Sequence, residues 1–481
     1  MDIPQKPIGP DNQTQKRWEH NALRRRMLQG TWEQDLEDEL LRHLPTDRRE
    51  SWGPSDLSSN PFEQVTRQLA VLYADTPNVT HEAADIESLI NRDGLITLAG
   101  LWPMMQRAQQ LTLGIRETIL KIDRSDDGLQ FRIVTPDYVY LESSPSAPDQ
   151  PLYYRELRLR VDAMGRPKWI ADVLDIRDPN NPSFSLHEVA PSGELGEDVS
   201  KEYMGSSARI GLGDGGYPYI DADGAPYLPL VVYRAEKTGL LWNSYDQSSL
   251  CYGSLTAATL FSFWVHCVKD SSWPQRYIAG LSVAGLSGLD QDMASRRSAV
   301  STDPTSVLVF FQDPDTTTQP LIGQFQPGSD PEKLMTAIAS YEYRVATAGG
   351  ISPAEISRTS GDPRSGYALT VSRQGQREAQ RKYAPIFRLY DEELLAKSAK
   401  MANRFLGFNL PELGYRVSYQ SLPLSPAETA AMREDVVGKL AAGLISPVDA
   451  IRILNPDMDD TEARVELIKI RRERAEFGIT S

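Results

Sequence analysis

PEKLMTAIASYEYRVATAGG, Pro331 to Gly350, is followed after a polar loop by YALTVSRQGQREAQRKYAPIFRLYDEELLAKSAKMANRF, Tyr367 to Phe405. In the first segment Leu334, Ile338, Tyr341 and Val345 recur at the spacing of one helix face, and Gly349-Gly350 end the pattern. The second segment predicts a helix of about eleven turns. Only Pro385 interrupts it, and a proline there predicts a kink, because it removes a backbone donor and clashes with the preceding turn. The connecting loop, GISPAEISRTSGDPRSG, carries Arg358 and Arg364 between proline and glycine breakers. A solitary globular domain has little use for so long a helix fed by a polar loop. A ring around a central channel does.

Composition bounds the alternatives. A chain of 481 residues predicts roughly two to four domains, and 40% hydrophobic with 24% charged residues is ordinary for a soluble globular protein. The N-terminal MDIPQKPIGPDNQTQKRWEH has no apolar core of a signal peptide, and the longest apolar run, Leu255 to Val268, is too short to span a bilayer. A soluble protein made in a cytoplasm is expected. The net charge of −15 argues against tight nonspecific adhesion to DNA, which needs cationic surface to release phosphate counterions. It is compatible with a surface that DNA slides past while a few localised arginines touch phosphates.

Residues 1–60 read as charged helix, with Lys16, Arg17, Arg24, Arg25 and Arg26 followed by the acidic run Glu33 to Glu39; a solvated amphipathic face is expected, with a nucleic-acid arm as the other reading. In PFEQVTRQLAVLYADTP, Phe62, Val65, Leu69 and Leu72 share one helix face, and a further helical region covers about 81–120, broken near Asp93-Gly94 and Pro103. From about 130 to 235 the period changes to two. FRIVTPDYVYLE, ELRLRVDA, KWIADVLDI, SFSLHEVA and YLPLVVY are strand candidates. Leu157, Leu159 and Val161 alternate with Arg158, Arg160 and Asp162, which predicts a half-buried antiparallel strand. Residues 163–167 and 220–224 are turns, the latter lacking the distal glutamate of a calcium loop.

Residues 246–270 return to helix. Leu255, Leu260, Phe261, Phe263, Trp264, Val265 and Val268 spread over several faces, so this helix is expected to be buried in its own domain or between subunits. A β-rich insert at 272–330 follows, with a polar loop, 285–305, that contains Arg296 and Arg297. Helix, β module and returning helix describe a stalk with a tip. Ser425-Pro426-Ala427-Glu428 and Ser446-Pro447-Val448-Asp449 open helices as capping boxes with proline at the first position, as Ser352-Pro353-Ala354-Glu355 does in the loop. The whole reads as an α+β chain that ends in a small helical cap.

Signals for catalysis are weak. No G-x-x-x-x-G-K-[ST] loop is present, and the glycine-rich Gly211 to Gly216 does not lie between a strand and a helix. Cys251 and Cys267 lie in one predicted helix, where a mutual disulfide is geometrically excluded. With five scattered histidines they offer no zinc spacing, so free buried thiols and no metal or cofactor are expected. Asp457, Asp459 and Asp460 sit at a helix start, where carboxylates favour the helix dipole over a bound Mg²⁺.

In order and local motifs the chain, from about 60 to 475, resembles portal proteins of tailed bacteriophages. NPFEQVTRQLAVLYADTP is similar to the early portal helix leading into the wing, and YLPLVVYRAEKTGLLWNSYDQSSL to the segment before the first stem helix. PEKLMTAIASYEYRVATAGG resembles the second stem helix, GISPAEISRTSGDPRSGYAL the tunnel loop and entry to the long kinked helix, and AAGLISPVDAIRILNPDMDDTEARVELIKIRRE the crown. The resemblance implies an N-terminal arm (1–60), a wing (61–245), a first stem helix (246–271), a clip (272–330) and a second stem helix (331–349). A tunnel loop (350–366), a long kinked helix with a wing strand (367–423) and a crown (424–481) complete it.

It implies a non-enzymatic ring, a dodecamer, at one capsid vertex of a virion, passing double-stranded DNA without sequence specificity during packaging and ejection. The ring nucleates the procapsid with capsid and scaffolding proteins, docks the terminase large subunit, and later binds a head-completion or tail adaptor protein. Arg358, Arg364 and Ser365 then line the channel, Pro385 kinks the spine, and Leu255, Phe261 and Trp264 pack subunits. Arg296 and Arg297 meet partners at the clip. On an ordinary surface loop, Arg358 and Arg364 pair instead with Glu355 or Asp362. Another ring-forming connector, or a phage hydrolase or nuclease with an unrecognised carboxylate site, are the alternative functions.

Overall fold

Asn60 caps a short helix, α3, by accepting from the Glu63 N–H at 3.2 Å, and Pro61 occupies its first turn, so the apolar face begins in register with the core. In the computed structural model the described residues are 4–43, 55–81, 86–125, 128–162, 164–203, 217–242, 248–272, 276–279, 321–324, 330–351, 374–420, 426–455 and 460–476. Their helices are α1 (Asn12–Gln29), α2 (Glu33–His43), α3 (Pro61–Leu69), α4 (Glu87–Ile90), α5 (Leu95–Leu98), α6 (Leu101–Ile115), α7 (Ser200–Tyr203), α8 (Ser248–Ser272), α9 (Pro331–Ala348), α10 (Gln374–Leu406), α11 (Pro426–Ala441), α12 (Pro447–Leu454) and α13 (Asp460–Glu476). The strands are β1 (Asn78–Thr80), β2 (Glu117–Ser125), β3 (Gly128–Val134), β4 (Val139–Ser143), β5 (Pro151–Val161), β6 (Pro167–Asp175), β7 (Ser183–Val189), β8 (Leu195–Asp198), β9 (Leu230–Arg234), β10 (Arg276–Ala279), β11 (Leu321–Gln324) and β12 (Arg416–Ser418).

They form an antiparallel meander β4-β5-β6-β7-β8, a three-stranded sheet β3-β2-β9, and the antiparallel pairs β1-β12 and β10-β11. Strand β2 begins at the end of the region expected to be helical, about 81–120. Arg116 takes a left-handed conformation (φ 84°) that stops α6, and the chain enters the centre of a sheet. Glu117 to Ile122 are all buried, so the strand carries no alternating pattern to read. Pro103 does not break α6 either. It lies in the first turn, where backbone N–H groups lack helical acceptors anyway. FRIVTPDYVYLE divides at Pro136 into β3 and β4, which belong to different sheets.

The N-terminal helices are not a solvated face. Trp18, Met27, Leu28, Trp32, Leu36 and Leu40 are buried, and so are Arg17 and Arg24. The Arg17 guanidinium lies 3.6 Å from the Trp242 ring centre and donates to the Val139 carbonyl at 2.9 Å; Arg24 donates to the Ile115 carbonyl at 3.3 Å. Arginine buries its methylene stem readily when the planar head finds acceptors, so a basic cluster became an anchor. In β5 the expected burial is also reversed at its far end. Leu157 is buried but Leu159 and Val161 are exposed, while Arg158 and Arg160 pair with Asp172 on β6.

Between the two larger sheets sits an ion network. Glu156 accepts from Arg132, from Tyr154 Oη at 2.6 Å and from Lys121 at 3.5 Å. Burial opposes its ionisation, but the Arg132 and Lys121 charges outweigh that and hold the carboxyl at about 2.

The 33-residue α10 spans about 50 Å and closes the main core with Tyr383, Phe387, Leu394, Leu395, Ala399 and Ala402. Pro385 is on its exposed side, where water reaches the Arg381 carbonyl that proline leaves unclaimed. Deep in this core Asp391 is fully buried and accepts hydrogen bonds from three tyrosines. Tyr73 Oη lies 2.8 and 2.9 Å from its two oxygens, Tyr233 Oη 2.8 Å from Oδ1 and Tyr419 Oη 2.7 Å from Oδ2. Burial drives this carboxyl up to about 6, against the pull of the three hydroxyls.

A carboxyl with a folded pKa above its unfolded value contributes stability that is complete below about 4 and declines as pH rises through about 6. The decline is on the order of 3 kcal/mol. Relative to wild type, Asp391→Asn removes that slope, and urea unfolding of both proteins between pH 4 and 7 should show their difference changing by this amount. Parallel pH profiles would contradict the assignment.

Candidate assembly interface on the helical hairpin

Helices α8 and α9 form an antiparallel hairpin. Trp264, late in α8, donates its indole N–H to the Pro331 carbonyl at the start of α9 at 2.9 Å. Gly253, early in α8, faces Val345, late in α9; a Cβ at Gly253 would lie 2.9 Å from Val345 Cγ2. The absent side chain lets the helices close together at their root. Toward the other end, the chain leaves α8 into β10 and returns from β11 to α9, and those two strands pair antiparallel.

The root of the hairpin belongs to the chain's own core. Cys251, Leu255 and Ala258 pack against Met27, Leu28, Trp32, Leu36 and Leu40. Leu255, expected at a subunit contact, is therefore buried within the chain, because α1 and α2 already cover that face. The Cys251 thiol is pushed up to about 11 by burial, and it is inert packing 3.5 Å from the Met27 sulfur. Cys267 is half-buried and outside any disulfide.

Further along, the cover ends before the apolar sequence does. Phe261 stacks on Trp264 with ring centres 5.3 Å apart, both half-exposed, and Leu260, Leu334 and Met335 are exposed. A groove of about 440 Å³ runs between the helices, lined by Leu260, Phe263, Trp264, Leu334, Ile338 and Tyr341. The face read as Leu334, Ile338, Tyr341 and Val345 thus divides: Ile338 and Val345 are buried, Leu334 is not. Full burial of a leucine is worth about 1.5–3 kcal/mol; Leu260, Leu334 and Met335 are 37–39% exposed, so a partner covering them gains that fraction of it at each. The sequence marks Leu260 as part of a helix buried in its own domain or between subunits, and does not mark Met335. The point at which intrachain cover stops is what leaves them exposed.

Chemistry at this surface is apolar. The described histidines are dispersed: His20 contacts Tyr252 Oη at 3.1 Å, His81 the Leu413 carbonyl at 2.9 Å, and His187 the Gly196 carbonyl and Ser185 Oγ. Among the described residues no group of three or more His, Cys, Asp or Glu side chains is arranged to hold a metal ion. No described helix is long and apolar enough to cross a membrane. Asp221 folds a plain turn, accepting from the Asp223 and Ala225 N–H groups and from Lys400 Nζ at 3.0 Å. Arg358, Arg364, Ser365, Arg296 and Arg297 lie outside the described residues, as do Asp457 and Asp459.

No protein-family model and no curated protein matches the chain. Among solved structures it is similar to a chain in the virion of a native gene transfer agent particle, at 14% identity and a TM-score of 0.39, covering 82% of this chain and 90% of that one. It is similar to a chain in the neck of an empty gene transfer agent particle computed with C6 symmetry, at 13% identity and a TM-score of 0.40, covering 84% and 94%. A chain in the neck of the native particle computed with C12 symmetry matches at 13% identity and a TM-score of 0.37, covering 82% and 90%. Likeness at these TM-scores carries no argument about function.

Combining Leu260→Asp with Leu334→Asp is expected to leave the unfolding free energy within about 1 kcal/mol of wild type, since both residues are exposed within the chain. In sedimentation velocity the same variant should fail to form higher assemblies. Undiminished assembly would exclude the groove as a contact.

Proposed function

We propose that the chain is a portal-type subunit: it closes into a ring at one capsid vertex and forms the channel through which double-stranded DNA enters and leaves a virion. The observation that carries this reading is the hairpin of α8 and α9, with an exposed aromatic groove along its outer part and a β pair beyond it, followed by the long helix α10. In a ring, a second copy covers this groove with a different surface of its own. Contacts of that kind are heterologous and close into rings when the rotation per subunit allows.

The C-terminal helices support the same reading. Ser446 and Asp449 make a reciprocal capping box that fixes α12, yet among the described residues of α11, α12 and α13 only Val436, Ala450 and Ala463 are buried. Val437, Leu444, Val465 and Ile468 are more than 60% exposed. Three helices with so little core of their own gain stability from neighbours.

In this reading the ring works without chemistry on a substrate, as a dodecamer that nucleates the procapsid with capsid and scaffolding proteins. It docks the terminase large subunit and then a head-completion or tail adaptor protein. Loop residues Arg358 and Arg364 meet phosphate oxygens of passing DNA without reading sequence; the 272–330 segment, with Arg296 and Arg297, meets the partners outside the capsid. Replacing Arg358 and Arg364 together with alanine should leave ring assembly intact and lower packaged or retained DNA in a packaging reaction with procapsids. Wild-type packaging by that double variant would remove the channel role from the loop.

A further inference from the structure

The N-terminal half of α10 concentrates positive charge in a chain whose net charge is −15. From Gln374 to Tyr390 it carries Arg377, Arg381, Lys382 and Arg388 against the single acid Glu378. Offsets of four and seven residues place Arg377, Arg381 and Arg388 within about 40° of one another around the helix. Arg381 and Arg388 are exposed. Beside this flank runs β12, held by Gln380 Nε2 donating to the Gln420 carbonyl at 2.6 Å and by the Val417 N–H donating to Glu392 at 3.4 Å.

β12 alternates: Val417 points into the core while Arg416 and Ser418 are exposed. A polar groove of about 530 Å³ lies along the seam, lined by Arg388, Arg416, Glu392, Thr80 and Ser418. Its acid, Glu392, already accepts the Val417 N–H.

We infer that this α10–β12 seam is a contact surface for the phosphate backbone of double-stranded DNA, additional to the 350–366 loop. Arginine forks suit phosphate oxygens, and flanking hydroxyls add neutral donors. Along the helix axis Arg377 to Arg381 is about 6 Å and Arg381 to Arg388 about 10.5 Å. Guanidiniums on one flank offer charge to phosphates, whereas nothing described in the seam is shaped to read base edges. The inference rests on the reading that the chain handles DNA.

The test uses the full chain in its assembled form, with a fluorescein-labelled 30-base-pair duplex, by anisotropy across a KCl series. Replacing Arg381, Arg388 and Arg416 with glutamine should lower the slope of log K against log[KCl] by about 0.9 for each phosphate that is no longer neutralised. The same three changed to lysine should keep the slope, because a point charge still releases a counterion. Arg381→Gln alone, at an exposed position, repeats the measurement with little cost to folding. An unchanged slope in intact rings of the glutamine variants overturns the seam and leaves the ring reading standing. A wild-type ring that binds an acidic protein but no duplex at low salt overturns it as well, and wild-type protein that forms no rings removes both.

Discussion

Four side chains far apart in sequence meet at one carboxyl. Asp391 lies on α10, Tyr73 follows α3, Tyr233 is on β9, and Tyr419 lies just past β12; together they tie the long helix to the three-stranded sheet and to the β1-β12 pair. A carboxylate without partners in this core would carry a prohibitive desolvation cost, and three tyrosine hydroxyls without it would be buried donors lacking an acceptor. Each side makes the other tolerable. Such a network is strong when every member is present and fails as a unit, so it fixes the position and rotation of α10 rather than merely adding stability.

That fixed helix determines where everything else is presented. Rotating α10 to bury Asp391 among tyrosines sets its arginines on the flank beside β12 and leaves Pro385 toward water. On the other side of the core, α3 and its contact with Gly349 hold the root of the hairpin. A Cβ at Gly349 would stand 2.8 Å from Val65 Cγ1, so the hairpin can seat here only with glycine or a shift of its neighbours. Packing is thus tight at the base, and the apolar groove opens where packing against the chain's own residues stops. Leu260, Leu334 and Met335 are the apolar side chains left exposed there.

Much of the architecture was legible because it is local. The face of α3, the antiparallel run from β5 to β7, the helices on either side of the β10-β11 pair and the capping box at Ser446 all follow from spacing or from caps. Strand β2 was not legible, since burial on both faces erases alternation. Arg17 and Arg24 looked solvated because their acceptors, the Val139 and Ile115 carbonyls, are distant in sequence. Asp391 stands beside Glu392 and Glu393 in the sequence, yet it keeps phase with Phe387, Leu394 and Ser398 on the buried face. Its phase was a usable signal. For the candidate interface, Phe261 and Trp264 stood out as aromatics, but the division between buried Leu255 and exposed Leu260 depends on where α1 and α2 end. Side-chain type does not encode that.

In the ring proposed for this chain, another copy covers the groove between α8 and α9. Single-particle electron microscopy of the purified full chain tests it most directly. The account predicts turbine-shaped rings with a central hole and each hairpin packed against its neighbour through Leu260, Trp264 and Leu334. Monomers at every concentration, or closed two-fold dimers with these side chains facing solvent, would contradict it.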